Sequence, residues 1–419
     1  MRRPVAVAGA VVALVLVVLS GCTGGSGEAP KSGVEKAGSG ETSKSGAAKG
    51  GSGVPAAAGA FGAPPRMPSG EGLPGWAHSL GFARDGSGFA LLVGCVSAEA
   101  APGSGFCRQQ VAVRDAGAEE WVVRRSPLPE IPVSQGASAN LLALGPGRAL
   151  IEDGGGGRPE RTWFTRDGGR SWHPVDRRTV GEVAGIPVGA VLATECAAPA
   201  GASLDGCARE RLVVVSPQDG RRRALAGAPL LGAHPQPAGQ PEPDGSWWVS
   251  GTDPLSGRVA VAFSRDAGRS WTVSRLPSPT DRPGGRVVVA VGPDAVYAAE
   301  LGELTGGEPV KNPMRALHRS VDGGVTWQRT WTTGPKKEPR TLMGLPVPGP
   351  GGRVEIGGEL SGYASVDGGR TFAGLGDGSH YVRRTPLGLL REESRCRYAL
   401  TADGVRWSEF RLACGDGAD

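Results

Sequence analysis

Several residue types that build catalytic and metal sites are scarce in this 419-residue chain. It contains only five histidines, and these lie far apart in the sequence without the spacing that metal ligands need. It also lacks the Gly-x-Ser-x-Gly and His-Glu-x-x-His motifs, and its glycine-rich runs carry no phosphate-loop lysine. The sequence therefore predicts no metal and no cofactor, and it argues against a nucleotide-dependent or metal-dependent enzyme.

A large excess of charge of one sign is missing as well. The formal net charge is +5 at pH 7, and Arg2 and Arg3 at the extreme N-terminus supply part of it. Proteins that bind nucleic acid usually carry a clustered basic face. The basic run at Arg221–Arg223 is typical of a solvated turn, so we expect no nucleic-acid partner.

The N-terminus is organised like a secretory signal. Met1-Arg2-Arg3 is followed by an apolar stretch from Val5 to Leu19, and the run Leu19-Ser20-Gly21-Cys22 closes it. This stretch resembles the lipobox signals of bacterial lipoproteins. The resemblance implies that residues 1–21 are removed, that Cys22 carries lipid such as palmitate, and that the chain is attached to the extracytoplasmic face of a cell membrane. An uncleaved N-terminal anchor is the alternative.

Residues 22–75 are rich in glycine, serine, alanine, proline and lysine, with almost no large apolar side chain before Phe61. Such a segment cannot bury enough apolar surface to offset the entropy lost on ordering. Its lysines alternate with Glu28, Glu35 and Glu41, which is typical of a solvated linker rather than of a polybasic membrane patch. The sequence predicts a flexible tether that leads to a folded domain at residues 76–414, with a short tail at 415–419.

The other six cysteines form three neighbouring couples. An even number of cysteines in an extracytoplasmic protein is typical of disulfides. The first two couples each bracket a loop of small residues between apolar runs, and the third couple flanks the turn at Asp403. We predict three local disulfides: Cys95–Cys107, Cys196–Cys207 and Cys396–Cys414.

The pattern Ser/Thr-x-Asp-x-Gly-x-Ser/Thr-aromatic occurs four times along the chain. Its aspartate and aromatic positions are Asp167 and Trp172, Asp266 and Trp271, Asp322 and Trp327, and Asp367 and Phe372. Weaker copies occur around Asp115, Asp219 and Asp403. The pattern resembles the Asp-box, or BNR repeat, of sialidases, sortilin-type receptors, xyloglucan-degrading enzymes and photosystem assembly factors.

The pattern has the composition of a hairpin turn. Aspartate can accept hydrogen bonds from backbone N–H groups, glycine adopts positive φ, and the aromatic residue packs inward. We therefore expect these residues to stabilise the fold rather than to act as catalysts or calcium ligands. The seven aspartates are about 36 to 56 residues apart, which suits one four-stranded blade per repeat. The sequence predicts an all-β, seven-bladed β-propeller. Six blades are the alternative, because the copy around Asp219 lacks its aromatic residue.

The propeller fold hosts hydrolases, receptors and assembly factors, so the fold alone does not decide the function. A sialidase would need an arginine cluster for the substrate carboxylate and a tyrosine nucleophile beside a glutamate. Of the four tyrosines, Tyr381 precedes Arg383 and Arg384, but no sequence spacing connects it to a glutamate. The aromatic-Arg-Ile-Pro signature of that family is degraded here to Pro65-Arg66-Met67-Pro68.

These observations favour a binding or scaffold module at the cell envelope over an enzyme. An exo-sialidase-like glycoside hydrolase is the alternative. The expected partners are the membrane, through the N-terminal lipid, and a protein, peptide or glycan ligand on the central funnel of a monomer. Candidate contact residues are Trp247, Trp248, Tyr297 and Arg384, and the sequence does not single out a ligand site among them.

Overall fold

The computed structural model describes residues 61–97, 105–154, 160–199, 207–277, 286–302, 313–334, 337–377 and 381–415. The predicted signal peptide, Cys22 and residues 416–419 lie outside these ranges. The described chain is all-β, and seven small sheets in a ring form a seven-bladed β-propeller. The seven-blade prediction is therefore confirmed over the six-blade alternative.

Blades 1 to 3 are formed by the first half of the chain. Blade 1 contains β1 (Trp76–Phe82), β2 (Gly88–Ser97), β3 (Gly105–Arg114) and β4 (Val122–Arg125), and β5 (Ile131–Pro132) adds to the end of β3. Blade 2 contains β6 (Asn140–Gly145), β7 (Arg148–Asp153), β8 (Arg161–Thr165) and β9 (His173–Pro174). Blade 3 contains β10 (Glu182–Val183), β11 (Val191–Pro199), β12 (Cys207–Val215) and β13 (Arg222–Leu225).

Blades 4 to 7 follow in chain order. Blade 4 contains β14 (Gln236–Pro237), β15 (Trp247–Thr252), β16 (Val259–Ser264) and β17 (Thr272–Arg275). Blade 5 contains β18 (Arg286–Val291), β19 (Val296–Leu301), β20 (Met314–Ser320) and β21 (Gln328–Thr332). Blade 6 contains β22 (Met343–Pro348), β23 (Val354–Gly357), β24 (Ser361–Ser365) and β25 (Ala373–Asp377). Blade 7 contains β26 (Tyr381–Thr385), β27 (Gly388–Ser394), β28 (Arg397–Thr401) and β29 (Ser408–Arg411).

The core lies between neighbouring blades. Successive side chains of a strand point to opposite faces of its sheet, so each blade contributes to two interfaces. Between blades 4 and 5, for example, Trp248 and Phe263 pack in one buried cluster with Val289. The rings of Trp248 and Phe263 are 5.0 Å apart between centroids. This packing explains why the strands are rich in valine, alanine and leucine.

The repeated pattern forms turns between the third and fourth strands of its blades; we call these the Asp turns. In the Asp turn of blade 4, Asp266 accepts hydrogen bonds from the Ser264 hydroxyl (2.8 Å), the Ser270 N–H (2.9 Å) and the Ser270 hydroxyl (2.6 Å). The same three contacts occur at Asp167, Asp322 and Asp367. In blade 3 the neighbouring Gln218 takes the aspartate position and accepts from Ser216 at 2.8 Å.

Blade 3 is connected differently from the other six blades. Its strand order is β10-β13-β12-β11, and β10 pairs in parallel with β13. Its turn at Ser216 joins β12 to β13, so these two strands correspond to the third and fourth strands of the other blades. β11 therefore corresponds to the second strand of the other blades. In those blades the first strand is the inner one, nearest the central channel, and the described part of blade 3 has no strand at that inner position. The segment Ile186–Ala190 leads directly into β11 instead.

The described chain packs against the propeller earlier than predicted. Met67 and Leu73 are buried, and the Gly70 N–H donates to the Arg411 carbonyl at 2.7 Å. The Cys414 N–H donates to the Glu71 carbonyl at 3.0 Å, which joins the two ends of the ring. The tether boundary at Gly75 is therefore wrong, because residues 61–75 belong to the folded unit. The buried apolar residues of this segment, Met67 and Leu73, stand singly among small residues, so the sequence shows no hydrophobic pattern there.

The three predicted disulfides are confirmed: Cys95–Cys107, Cys196–Cys207 and Cys396–Cys414. The first joins β2 to β3 at directly opposite positions, and the second joins β11 to β12. The third links the turn before β28 to the segment after β29, so it fixes the C-terminal end of blade 7.

Candidate functional site

A cavity of about 340 Å³ opens on the face that carries the Asp turns. Residues from blades 1, 2, 3, 4 and 7 line it. Side chains from five blades can meet only near the ring axis, so the cavity lies at the mouth of the central channel. We call it the mouth pocket and define it by Arg84, Ile186, Val188, Trp247, Arg265 and Arg269, with their neighbours.

The mouth pocket lies beside the position where blade 3 lacks an inner strand. The segment Ile186–Ala190 forms its wall there. The Ile186 N–H donates to the Ala267 carbonyl at 2.6 Å, which attaches this segment to the Asp turn of blade 4. Gly189 lies so close to blade 2 that a Cβ atom would be 2.2 Å from the Leu144 carbonyl oxygen. Only glycine fits this close approach. The segment Ile186–Ala190 therefore lies against blade 2 on one side and is bonded to blade 4 on the other.

The floor of the mouth pocket is apolar. Trp247 and Ile186 are buried in the cluster between blades 3 and 4, and Leu144 is buried in the adjoining cluster. Val188 stands at the rim with 83% of its surface exposed. A floor of this kind can hold the hydrocarbon part of a ligand.

Three arginines surround this floor. Arg84 comes from blade 1, and its Nη2 atom lies 4.0 Å from the place of a Cβ on Gly245 in blade 4. Arg265 donates to the Gly323 carbonyl at 2.7 Å, and its guanidinium lies 4.5 Å from the centre of the Phe263 ring. Arg269 donates to the Asp266 carbonyl at 3.0 Å. The last two side chains are thus held in place before any ligand binds.

Among the described residues, Asp266 is the only carboxylate in the lining of the mouth pocket. Hydrogen bonds from the Ser270 hydroxyl, the Ser270 N–H and the Ser264 hydroxyl hold the pKa of Asp266 at about 2. It therefore stays ionised and bonded within its own turn. With three arginines and one aspartate, the lining carries a formal charge of +2.

The channel beside the mouth pocket is crossed by a buried ion pair. Arg384 of β26 approaches Glu242 of blade 4 at 2.5 Å between Nη2 and Oε1. Arg384 also donates to the carbonyls of Ala238 and Val289 in blades 4 and 5. Burial raises the pKa of Glu242, while Arg384 and the Val291 N–H oppose that rise. Arg384 of blade 7 therefore connects to blades 4 and 5 across the channel. Its guanidinium already has partners within the protein.

The sequence candidates divide between the mouth pocket and the core. Trp247 lines the mouth pocket, whereas Trp248 and Tyr297 are buried between blades. The remaining Asp turns and their aromatic residues lie outside its lining. Sequence reasoning missed Arg84, Arg265 and Arg269. The latter two could have been noticed as the arginines that flank an aspartate in the repeat.

The structure also connects Tyr381 to a glutamate. Tyr381 of β26 lies directly opposite Glu392 of β27, and its side chain is 68% exposed. Burial raises the pKa of Glu392, and nearby Arg383 opposes the rise. No spacing in the sequence indicates this pair, because the two residues are brought opposite each other only by the hairpin of β26 and β27. Arg384, the other neighbouring arginine, is engaged with Glu242.

Among the described residues, no group of three or more histidine, cysteine, aspartate or glutamate side chains is arranged to hold a metal ion. The described part of the chain also contains no helix with the length and apolar character needed to cross a membrane.

No protein-family model and no curated protein sequence matches the chain. Among solved structures it is similar to the GH74 xyloglucanase from Xanthomonas campestris, with 14% identity and a TM-score of 0.37 over 80% of this chain and 59% of that chain. It is also similar to the alpha-L-arabinanase from Penicillium chrysogenum, with 12% identity and a TM-score of 0.29 over 67% and 83%. The chain thus spans less than two thirds of the xyloglucanase. At these values the similarities say nothing about ligand or activity.

Proposed function

We propose that this chain is a lipid-anchored binding module of the cell envelope and that its ligand binds in the mouth pocket. The observation that carries the proposal is the lining of that pocket: an apolar floor, arginines fixed on its walls, and a single carboxylate already bonded in its own turn. Such a lining can bind and orient a ligand. General acid–base catalysis needs in addition a titratable group that is free to exchange a proton.

The membrane attachment rests on the sequence. Leu19-Ser20-Gly21-Cys22 resembles a lipobox, and the segment between Cys22 and Phe61 has the composition of a flexible linker. A linker of that length has an end-to-end distance of about 35 Å. It would let the propeller reach partners at the cell surface while the lipid retains it there.

Lipid attachment is tested by replacing Cys22. We expect Cys22→Ser to leave unprocessed precursor and to abolish labelling of the protein by a fatty-acid probe in the producing cell. Undiminished labelling of the variant would refute the anchor.

Binding in the mouth pocket is tested by blocking its rim. Val188 in the pocket and Leu255 outside it are 83% and 91% exposed, so a larger side chain costs little stability at either position. We expect Val188→Trp to remove a partner that is crosslinked to the protein at the intact cell surface, and Leu255→Trp to retain it. A partner retained by both variants would contradict binding in this pocket. Recovery of no partner from the unaltered protein would favour a passive structural role.

A glycoside hydrolase is the second candidate, and the cross-strand pair of Tyr381 and Glu392 is the observation that favours it. A tyrosine nucleophile beside a glutamate is the arrangement that sialidase chemistry uses. We expect no turnover of a fluorogenic sialoside by the purified mature protein, because Arg384 is engaged with Glu242 rather than free to hold a substrate. Turnover that disappears in Tyr381→Phe would replace the binding proposal with an enzymatic one.

A further inference from the structure

We infer that the mouth pocket is an anion site, which binds one negatively charged group attached to an apolar body. Arg84, Arg265 and Arg269 would hold the charged group, and Trp247 and Ile186 would contact the apolar part. This inference rests on the proposed function and narrows it to a class of ligand.

Most of the hydrogen-bond donors around the mouth pocket are free. A guanidinium carries five N–H donors. Arg265 and Arg269 each donate one hydrogen bond, to a backbone carbonyl, within the described residues. Arg84 is exposed and has no hydrogen-bond or ion-pair partner among those residues. Most of the donors around the pocket are therefore available to a ligand.

The carboxylates near the mouth pocket are already bonded to other partners. Four acidic residues lie in or beside the lining, and each is bonded elsewhere: Asp85 to Ser87, Asp244 to Ser246, Asp266 to Ser270, and Glu242 to Arg384. None of these contacts is to the three arginines of the pocket. An external anion would thus meet cations that no internal carboxylate engages directly.

The Asp turn of blade 2 matches that of blade 4 in its arginines. In blade 2, Arg166 and Arg170 flank Asp167 just as Arg265 and Arg269 flank Asp266. Arg170 donates to the Asp167 carbonyl at 2.7 Å, which is the same bond that Arg269 makes. Yet the blade 2 pair does not line the mouth pocket. Both pairs of arginines thus belong to the repeated pattern. Only Arg265 and Arg269 line a cavity, because they lie beside the irregular third blade.

The test uses two fluorescent probes of the same shape and different charge. 1-Anilinonaphthalene-8-sulfonate has an aromatic body with a sulfonate, and N-phenyl-1-naphthylamine is its neutral counterpart. They are titrated into a chain that is produced from residue 22 onward and carries Cys22→Ser, which has neither the signal peptide nor the lipid and needs no detergent. We expect saturable binding of one sulfonate probe per chain, weakened by added salt. The neutral probe should bind about tenfold more weakly or worse.

Two double variants decide whether the arginines of the pocket are responsible. Arg84→Ala with Arg269→Ala should weaken binding of the sulfonate probe by about tenfold or more. Arg166→Ala with Arg170→Ala removes the same number of charges from a turn of the same design and should leave binding unchanged. Equal affinities of the two variants, or no saturable binding by the unaltered chain, would overturn the inference.

Val188→Trp separates an error in the class of ligand from an error in the place of binding. If the neutral probe binds as tightly as the sulfonate and Val188→Trp blocks both, the anionic class is wrong and the pocket remains a binding site. If Val188→Trp blocks neither probe, binding occurs elsewhere and both statements fail.

Discussion

The third blade and the six blades around it are built from the same repeat but are connected differently. In blade 4 the inner strand β14 pairs with β15, whereas in blade 3 the edge of β11 faces the inner position without a strand beside it. The neighbouring Asp turn of blade 4 and the segment Ile186–Ala190 then enclose a cavity. A propeller can thus omit one inner strand locally and acquire a cavity with fixed walls.

Bonds from blade 4 support the irregular blade. The Leu192 N–H donates to the Gly239 carbonyl at 2.9 Å, and the Glu210 N–H donates to the Ala233 carbonyl at 2.8 Å. Together with the bond from Ile186 to Ala267, they replace part of the pairing that an inner strand would supply. A backbone group left without any partner in the interior would be costly.

Adjacent tryptophans provide the sharpest contrast between a regular interface and the irregular one. Trp248 is 2% exposed between blades 4 and 5, and Trp248→Ala should lower the free energy of unfolding by about 3 to 5 kcal/mol. Trp247 borders the mouth pocket, where water can fill the space that truncation leaves, so Trp247→Ala should cost less. Denaturant unfolding of both variants measures the difference. A larger loss for Trp247→Ala would show that the third interface is packed as tightly as the others.

Removal of Arg384 should make stability depend on pH. Burial already raises the pKa of Glu242 above its ordinary value of 4.5, and loss of the opposing arginine raises it further. The folded state then holds a proton that the unfolded state releases, so stability falls as pH rises from about 4.5 toward the folded pKa. We expect Arg384→Met to cost about 3 kcal/mol or more at pH 8 and less at pH 5.

The control for this variant is an exposed ion pair. Arg411 and Glu71 are 3.7 Å apart and about half exposed, so Arg411→Met should cost little at either pH. Equal losses for Arg384→Met at pH 5 and pH 8, measured by thermal unfolding, would argue against a charged Glu242 across the channel.

The disulfides of blades 1 and 3 test how far β11 depends on its covalent link. Their sequence separations are 12 and 11, so loop entropy alone predicts nearly equal losses of about 2 to 3 kcal/mol on removal. Because β2 has an inner neighbour and β11 has none, Cys196→Ala with Cys207→Ala should cost more than Cys95→Ala with Cys107→Ala. Denaturant unfolding compares them, and equal losses would show that β11 needs no extra support.

The smallest expected effect concerns the Asp turn that walls the mouth pocket. Ala267 has φ of 58°, where the matching residue in blade 2 is Gly168 with φ of 70°. Ala267→Gly should stabilise the protein by about 0.5 to 1 kcal/mol, and Gly168→Ala should destabilise it by a similar amount. Melting temperatures measure both. A destabilised Ala267→Gly would mean that contacts of the Ala267 methyl group outweigh the strain.

The blades, Asp turns and disulfides could be predicted because each depends on residues close together in the chain. The connection of blade 3 could not, since the parallel pairing of β10 with β13 depends on contacts that no local pattern records. The pocket was missed for the same reason. Arg84 and Arg269 come from blades that are distant in sequence, and they face one cavity only because of the missing inner strand.

Amide hydrogen exchange at Thr194 tests most directly whether the inner position of blade 3 is empty. The Leu192 N–H donates to Gly239, so the backbone N–H and C=O of Leu192 point away from β12. In an antiparallel pair this direction alternates along the strand, so the N–H of Thr194, two residues on, also points away from β12. No described residue pairs with its N–H. Ser250 is its counterpart in β15 and lies opposite Gln236 of the inner strand β14. We predict rapid exchange at Thr194 and slow exchange at Ser250 in the free protein. Equally slow exchange at both amides would contradict the account, because it would place a strand where the mouth pocket requires none.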